Sequence, residues 1–167
     1  MEKIAMGSRF LDDMVTFFGA QSPLSNFHPA PFKWKDYVVK TSEHAFMLEK
    51  ALMFEPSKAR AVVNTRTPQE VKRIGRAIQN FDPVKWGENR YGIMVEILKA
   101  KFAPAHIRAF LMSTGNRELV EGSPYDAIWG VKLDWKSDEI RNRNNWRGRN
   151  LLGKVPMEVR EYYRNQL

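Results

Sequence analysis

The chain has 167 residues, with 27 lysines and arginines against 19 acids, a net charge of +8 and a pI near 9.8. It contains no cysteine, which excludes disulfides, thiolate metal sites and a cysteine nucleophile, and fits a reducing cytoplasm. Three scattered histidines (His28, His44, His106) argue against a zinc site, the acid-bearing N-terminus against a signal peptide, and the lack of any long apolar run against a membrane span.

The length suits one domain with its own core, since roughly two-thirds of the unfolded surface can be buried at this size. The basic balance favours anionic partners such as phosphate or nucleic acid, although solubility charge alone would look the same. No repeat, low-complexity segment or linker interrupts the chain.

In chain order, "MVTFFG" is a short apolar run before the turn-rich loop "AQSPLSNFHPAPF". "FKWKDYVVKT" is aromatic and β-branched around Lys35-Asp36, the pattern of a hairpin. From Ser42 the chain turns helical, with Thr41 or Ser42 as cap and Glu43 in the first turn, where an acid suits the helix dipole. "TPQE" (67–70) is a helix start, with Thr67 as N-cap, Pro68 at N1 and Glu70 closing a capping box. Val71, Ile74 and Ile78 follow at helical spacing. Further helices are predicted over Tyr91–Phe102 and Ala105–Ser113, the second stopping at Gly115. "DAIWGVKL" reads as strand and loop. "NLLGKVPMEVREYYRNQL" reads as a final helix with Leu151, Leu152, Val155 and Val159 inward, which Pro156 should kink or whose true start it should set. The outline is α+β, mainly helical with a small β-sheet. It has no strand–glycine-loop–helix unit, so neither a P-loop nor a Rossmann fingerprint.

Several residues carry possible chemistry. Glu43 and Lys50 are seven apart, almost two turns, so they share a face with Met47 and have Phe46 beside them, about 10 Å apart along the axis. A carboxylate among apolar groups can act as general acid or base; otherwise Glu43 only favours the dipole. A lysine half-buried among apolar groups becomes nucleophilic toward aldehydes; otherwise Lys50 only snorkels. Trp86 in "VKWGENRYG" and Trp129 in "PYDAIWGVKL" precede glycines that would let a backbone approach the ring, so a planar base could stack there; core packing is the alternative. Asp126 could hold a ribose hydroxyl or a water. "RNRNNWRGRNLLGK" (141–154) has five cations and no acid and opens a helix near Asn150, so Arg149 and the helix-start amides suit phosphate; a solvated loop is the alternative. Arg76 in "RIGRAI" is a further phosphate candidate. These residues suit a ligand with a base, a sugar and a phosphate, and leave the reaction open.

"LSNF", "TSEHAFMLEKAL", "VKRIGRAI", "VKW" with "LKAKF", "LVEGSPYDAIWGVKL" and "NWRGRNLLGKVPMEVR" occur in this order. This resembles the NADAR domain family, which includes the YbiA-like N-glycosidases, over a core of about residues 15–164 in one domain of 1–167. The resemblance implies a compact, helix-rich α+β fold, no metal and no cofactor. It implies hydrolysis of a ribosyl C1′–N bond in a ligand of the ADP-ribose type. The expected substrate is ADP-ribosylated guanine in DNA or RNA. The alternatives are phosphorylated ribosylamino-pyrimidine intermediates of riboflavin synthesis, or a non-catalytic reader of ADP-ribose or nucleic acid. Carried over position by position, it implies catalytic roles for Glu43, Lys50 and Asp126. Substrate-binding roles fall on Asn26, His44, Arg76, Trp86, Trp129, Gly130, Arg149 and Asn150. Two departures stand out: Lys132, where the family often has glycine, and Pro156, where family helices usually continue.

Overall fold

The structure is a computed structural model, and it describes residues 2–167. In chain order the elements are β1 (Lys3–Ala5), β2 (Ser8–Phe10), β3 (Met14–Phe17), β4 (Phe32–Trp34), β5 (Tyr37–Val39), α1 (Ser42–Phe54), α2 (Ala59–Asn64), α3 (Pro68–Arg76), α4 (Pro83–Lys101), α5 (Ala105–Ser113), β6 (Glu118–Glu121) and α6 (Leu151–Arg164). The fold is α+β and mainly helical. Among the described residues no helix is long and apolar enough to cross a membrane. The chain divides into two compact units, one formed by the chain up to His28 together with Pro104–Leu167, the other by Pro29–Ala103.

In the first unit the sheet order is β1-β2-β3-β6. β1, β2 and β3 are antiparallel neighbours, and β6 lies parallel to β3 with Met14 opposite Glu118 and Phe17 opposite Glu121. Leu11, Met14, Val120, Val131, Leu133 and Ile140 form a buried cluster that Trp146 partly covers. Burying such side chains is worth about 1.5–3 kcal/mol each. α6 packs closely on β6: a Cβ on Gly153 would lie 2.0 Å from the Leu119 carbonyl oxygen.

The strand in this region is Glu118–Glu121, and the expected strand at "DAIWGVKL" is loop. The reason is where the backbone groups of that loop go. The carbonyls of Ala127, Ile128, Trp129 and Gly130 accept from the amides of Arg149, Leu151, Leu152 and Asn150 respectively. They pair with the entry to α6 instead of a neighbouring strand. α6 then runs unbroken from Leu151 through Pro156 to Arg164. The proline neither sets its start nor ends it. Proline removes one donor from the second turn, while Leu151, Leu152, Val155 and Val159 are all buried on the packed face.

The second unit is built around α1, which packs against α2, α3, α4 and β5. β4 and β5 form the expected hairpin, with Lys35 in the left-handed region at the turn. Thr41 caps α1 by accepting from the His44 amide, and Thr67 caps α3 by accepting from the Glu70 amide. α4 starts at Pro83, not at Tyr91. Asp82 caps it through the Val84 and Lys85 amides and Pro83 occupies the first turn. Gly87 and Gly92, which suggested a loop, have nothing within 4 Å of where a Cβ would stand, so they are helix positions facing open space.

Two stability predictions follow from the first unit. The Asn150 side chain is 1% exposed; its Oδ1 accepts from the Glu121 amide and its Nδ2 donates to the Leu119 carbonyl. Asn150→Ala strands both backbone groups and should cost about 2–4 kcal/mol, read as a lower denaturant midpoint at unchanged slope. Lys132 has φ 60, a backbone region that favours glycine. Lys132→Gly should therefore raise the melting temperature by about 2–4 °C, from roughly 1 kcal/mol of relieved strain.

Candidate active site

The first turn of α1 is the most unusual stretch of the molecule. Every residue from Thr41 to Leu48 is buried, including Ser42, Glu43 and His44. Buried polar groups must be bonded, and here the bonds can be traced. His44 Nε2 lies 2.9 Å from the Thr65 carbonyl, which can only accept, so Nε2 carries the proton. Burial pushes the His44 pKa down, so the ring is neutral and Nδ1 accepts from the Thr41 hydroxyl at 2.7 Å. Both ring nitrogens are thereby occupied. His44 thereby ties α1 to the end of α2.

Glu43 is 8% exposed and follows Ser42 in this turn. Lys50 is half-buried, with its ammonium 4.4 Å from the centre of the Phe81 ring. Its pKa is lowered, chiefly by desolvation; the charge of Glu43 works against the shift and that of Arg76 adds to it. Lys50 therefore lies in the field of both Glu43 and exposed Arg76. Through Phe81, Lys50 adjoins an aromatic cluster. Phe46 and Trp86 meet at a tilt with ring centres 4.9 Å apart, and Phe54 meets Trp86 at 6.3 Å and Phe81 at 5.3 Å. Trp86 is buried on helix α4, packed against Phe46 and Phe54.

Lys101 escaped the sequence reading. It is 1% exposed, and its ammonium donates to the Ser42 hydroxyl at 3.5 Å, beneath the same turn. The signal was present, because Met94, Ile97, Leu98 and Lys101 share the inward spacing of α4.

The other residues singled out belong to the first unit. Asn26 is buried in the turns that follow β3. Asp126 Oδ1 accepts from the amides of Ile128 and Trp129, both at 2.8 Å, which fixes the loop that presents half-buried Trp129. Gly130 is tightly enclosed: a Cβ there would lie 3.0 Å from the Asp126 carbonyl oxygen, and one on Gly148 would lie 2.1 Å from the Gly130 carbonyl oxygen. The Trp-Gly and Arg-Gly-Arg-Asn elements are thus two sides of one backbone junction. The helix-start amides expected to hold phosphate are spent on loop carbonyls, and the Asn150 side chain on β6. The Arg149 side chain remains exposed. The basic run is also partly neutralised, since Arg141 pairs with Glu2 and Asp138, and Arg143 with Glu118 and Asp13.

Comparison with known proteins agrees with these motifs. The family model described as "NADAR domain" matches residues 16–164 and so runs through both units. The chain is 32% identical to N-glycosidase R617 of Acanthamoeba polyphaga mimivirus over 165 residues, covering 90% of this chain and 96% of that protein. It is 34% identical to N-glycosidase Npun_R5314 of Nostoc punctiforme, covering 86% of each. The NMR structure of the E. coli protein YbiA superposes with a TM-score of 0.76 at 28% identity, covering 93% of this chain and 87% of that one. By its motifs, its fold and this match, the chain belongs to the NADAR domain family.

Proposed function

We propose that this protein is an N-glycosidase that hydrolyses a ribosyl C1′–N bond, and that its substrate is ADP-ribosylated guanine in DNA or RNA. The observation that carries the reading is the buried carboxylate of Glu43, in the first turn of α1 with a lysine of lowered pKa in its field. Relatives that bear the name N-glycosidase support the reaction type. The net charge of +8 supports a polyanionic substrate, and a cytoplasmic setting is part of the same proposal.

In the mechanism, the C1′–N bond breaks and its electron pair leaves with the base. Positive charge builds on the ribose ring oxygen and C1′, and Glu43 stabilises it or takes a proton from the attacking water. The water oxygen bonds to C1′ and its proton ends on the departing nitrogen. Arg76, at the end of α3, offers a cation for phosphate oxygens. For Asn26, Trp129 and Arg149 the proposal keeps the substrate-binding roles, and for Asp126 the catalytic role, that the family motifs imply. A carboxylate at the scissile bond has no use in a purely binding module, which is why hydrolysis is preferred over a reader.

A second reading is favoured by one observation, the depressed pKa of Lys50. A neutral amine can add to C1′ of the ring-opened sugar, which is still joined to the base as an imine; the base amine then leaves as the C1′–N bond breaks, and water hydrolyses the resulting lysine imine to the aldehyde and the free amine. The two routes separate in the pH profile and in trapping. A lysine whose pKa lies below the ordinary value loses its proton at lower pH, so an amine-dependent rate climbs with pH and levels off below about 10.4. The carboxylate route predicts no such rising limb, and borohydride added during turnover should leave no sugar on Lys50.

The first test is single-turnover release of ADP-ribose from an ADP-ribosyl-guanine oligonucleotide. Glu43→Gln should lower the rate by about 10²–10⁴-fold while the melting temperature stays within a few degrees. Full turnover by Glu43→Gln would remove the carboxylate from the mechanism. A folded wild-type protein that releases nothing would shift the substrate to a phosphorylated ribosylamino-pyrimidine.

A further inference from the structure

The positive charge of this chain is not spread evenly. Pro29–Ala103 holds 14 lysines and arginines against 8 acids, six of the eight net charges. Within it, Lys58 to Arg76 carries six cations (Lys58, Arg60, Arg66, Lys72, Arg73, Arg76) against one acid, Glu70. Lys58, Arg60, Arg66, Arg73 and Arg76 are exposed, and among the described residues none of these five lies within ion-pairing reach of an acid. That contrasts with Arg141 and Arg143, whose charges are already matched.

Packing fixes which way this surface faces. α2 turns Ala59 and Val62 inward, and α3 turns Val71 and Gly75 inward. A Cβ on Gly75 would lie 2.0 Å from the Met47 sulfur, so α3 is pressed onto α1 with no room to roll. Arg60, Arg73 and Arg76 are left on the outer sides of these helices, with Arg66 on the connection between them. At its α3 end the track reaches Lys50, whose pKa registers the charge of Arg76. Beside Lys50, Phe81 remains 40% exposed. It is held out by a tight turn in which Asn80 has φ 62 and the Gln79 amide is tied to Glu55.

Unmatched cations on two adjoining helices, with an exposed aromatic ring beside Lys50, are the parts of a single-strand binding surface: charge for the phosphates and a ring for an unstacked base. We infer that the Arg60–Arg66–Arg73 face of α2 and α3 binds the phosphodiester backbone of single-stranded nucleic acid and leads the strand past Phe81 toward Lys50 and Glu43. The inference rests on the proposed nucleic-acid substrate and adds the surface that carries the strand.

The test uses the full chain and an unmodified fluorescent 12-nucleotide oligo-dT, with affinity measured from 50 to 200 mM salt. Wild type should bind with an affinity that falls steeply with salt. The Arg60→Gln, Arg66→Gln, Arg73→Gln triple variant should lose about two units of the log–log salt slope, at roughly 0.7 per phosphate contact. Its melting temperature should stay at the wild-type value, as should its hydrolysis of an ADP-ribosylated guanosine monomer. Phe81→Ala should weaken binding with the slope unchanged. Wild-type slope and affinity in the triple variant would overturn the inference, as would tight binding to anionic lipid vesicles with none to the oligonucleotide. The binding assay needs no turnover. A protein that binds the strand through these arginines yet hydrolyses nothing would refute the proposed activity and leave the surface standing.

Discussion

The constraint on which the second unit depends is the burial of the start of α1. Because α2, α3, α4 and β5 all pack around this helix, its first turn is enclosed whatever its polarity. Enclosed polar groups need partners, so Thr41, His44 and the Thr65 carbonyl form a closed hydrogen-bonded set, and Lys101 reaches up to Ser42. The same enclosure makes Glu43 chemically interesting. An acid at a helix N-terminus is ordinarily a solvated group that favours the dipole. Here Glu43 is shielded from most of the solvent, and that shielding is what the proposed role for its carboxylate rests on.

The first unit solves a different problem, how to start a helix without solvent. Helix α6 begins with amides that have no partner of their own, and the loop after Ser123 supplies four carbonyls to the backbone at its start. Gly130, Gly148 and Gly153 allow the chain segments to approach that closely, and Asn150, in the left-handed conformation, bonds β6 from both ends of its amide. The motif strings at the C-terminal end are thus explained first by backbone geometry. Trp129 is what that geometry presents, and Lys132 is a residue tolerating a conformation in which glycine would be easier.

Charge tells a parallel story. Read along the chain, the most conspicuous basic stretch is 141–154, but folding brings Glu2, Asp13, Glu118 and Asp138 against its arginines. The less conspicuous stretch from Lys58 to Arg76 keeps its charge exposed because its two helices have few acids and bury only their small and apolar positions. Linear charge density predicts an anion surface poorly when distant acids return to it in the fold.

The sequence by itself determined the elements whose signals are local. The Lys35-Asp36 hairpin, the Thr41 and Thr67 caps, the helix ended by Gly115 and the inward face of α6 all rest on side chains acting within a few residues, and all appear as read. Family membership was also legible, because its motifs are strings. Where competing local signals pointed the wrong way, tertiary structure decided. Glycines at 87 and 92 hid the first half of α4, a proline failed to interrupt α6, and Glu118–Glu121 became a strand only because β3 lay alongside. The candidate site follows the same division. The shared face of Glu43 and Lys50 came from helical period alone. The neutral tethered His44, buried Lys101 and the consumed amides near Asn150 came only from packing, because burial and hydrogen-bond partnership depend on residues far away in the chain.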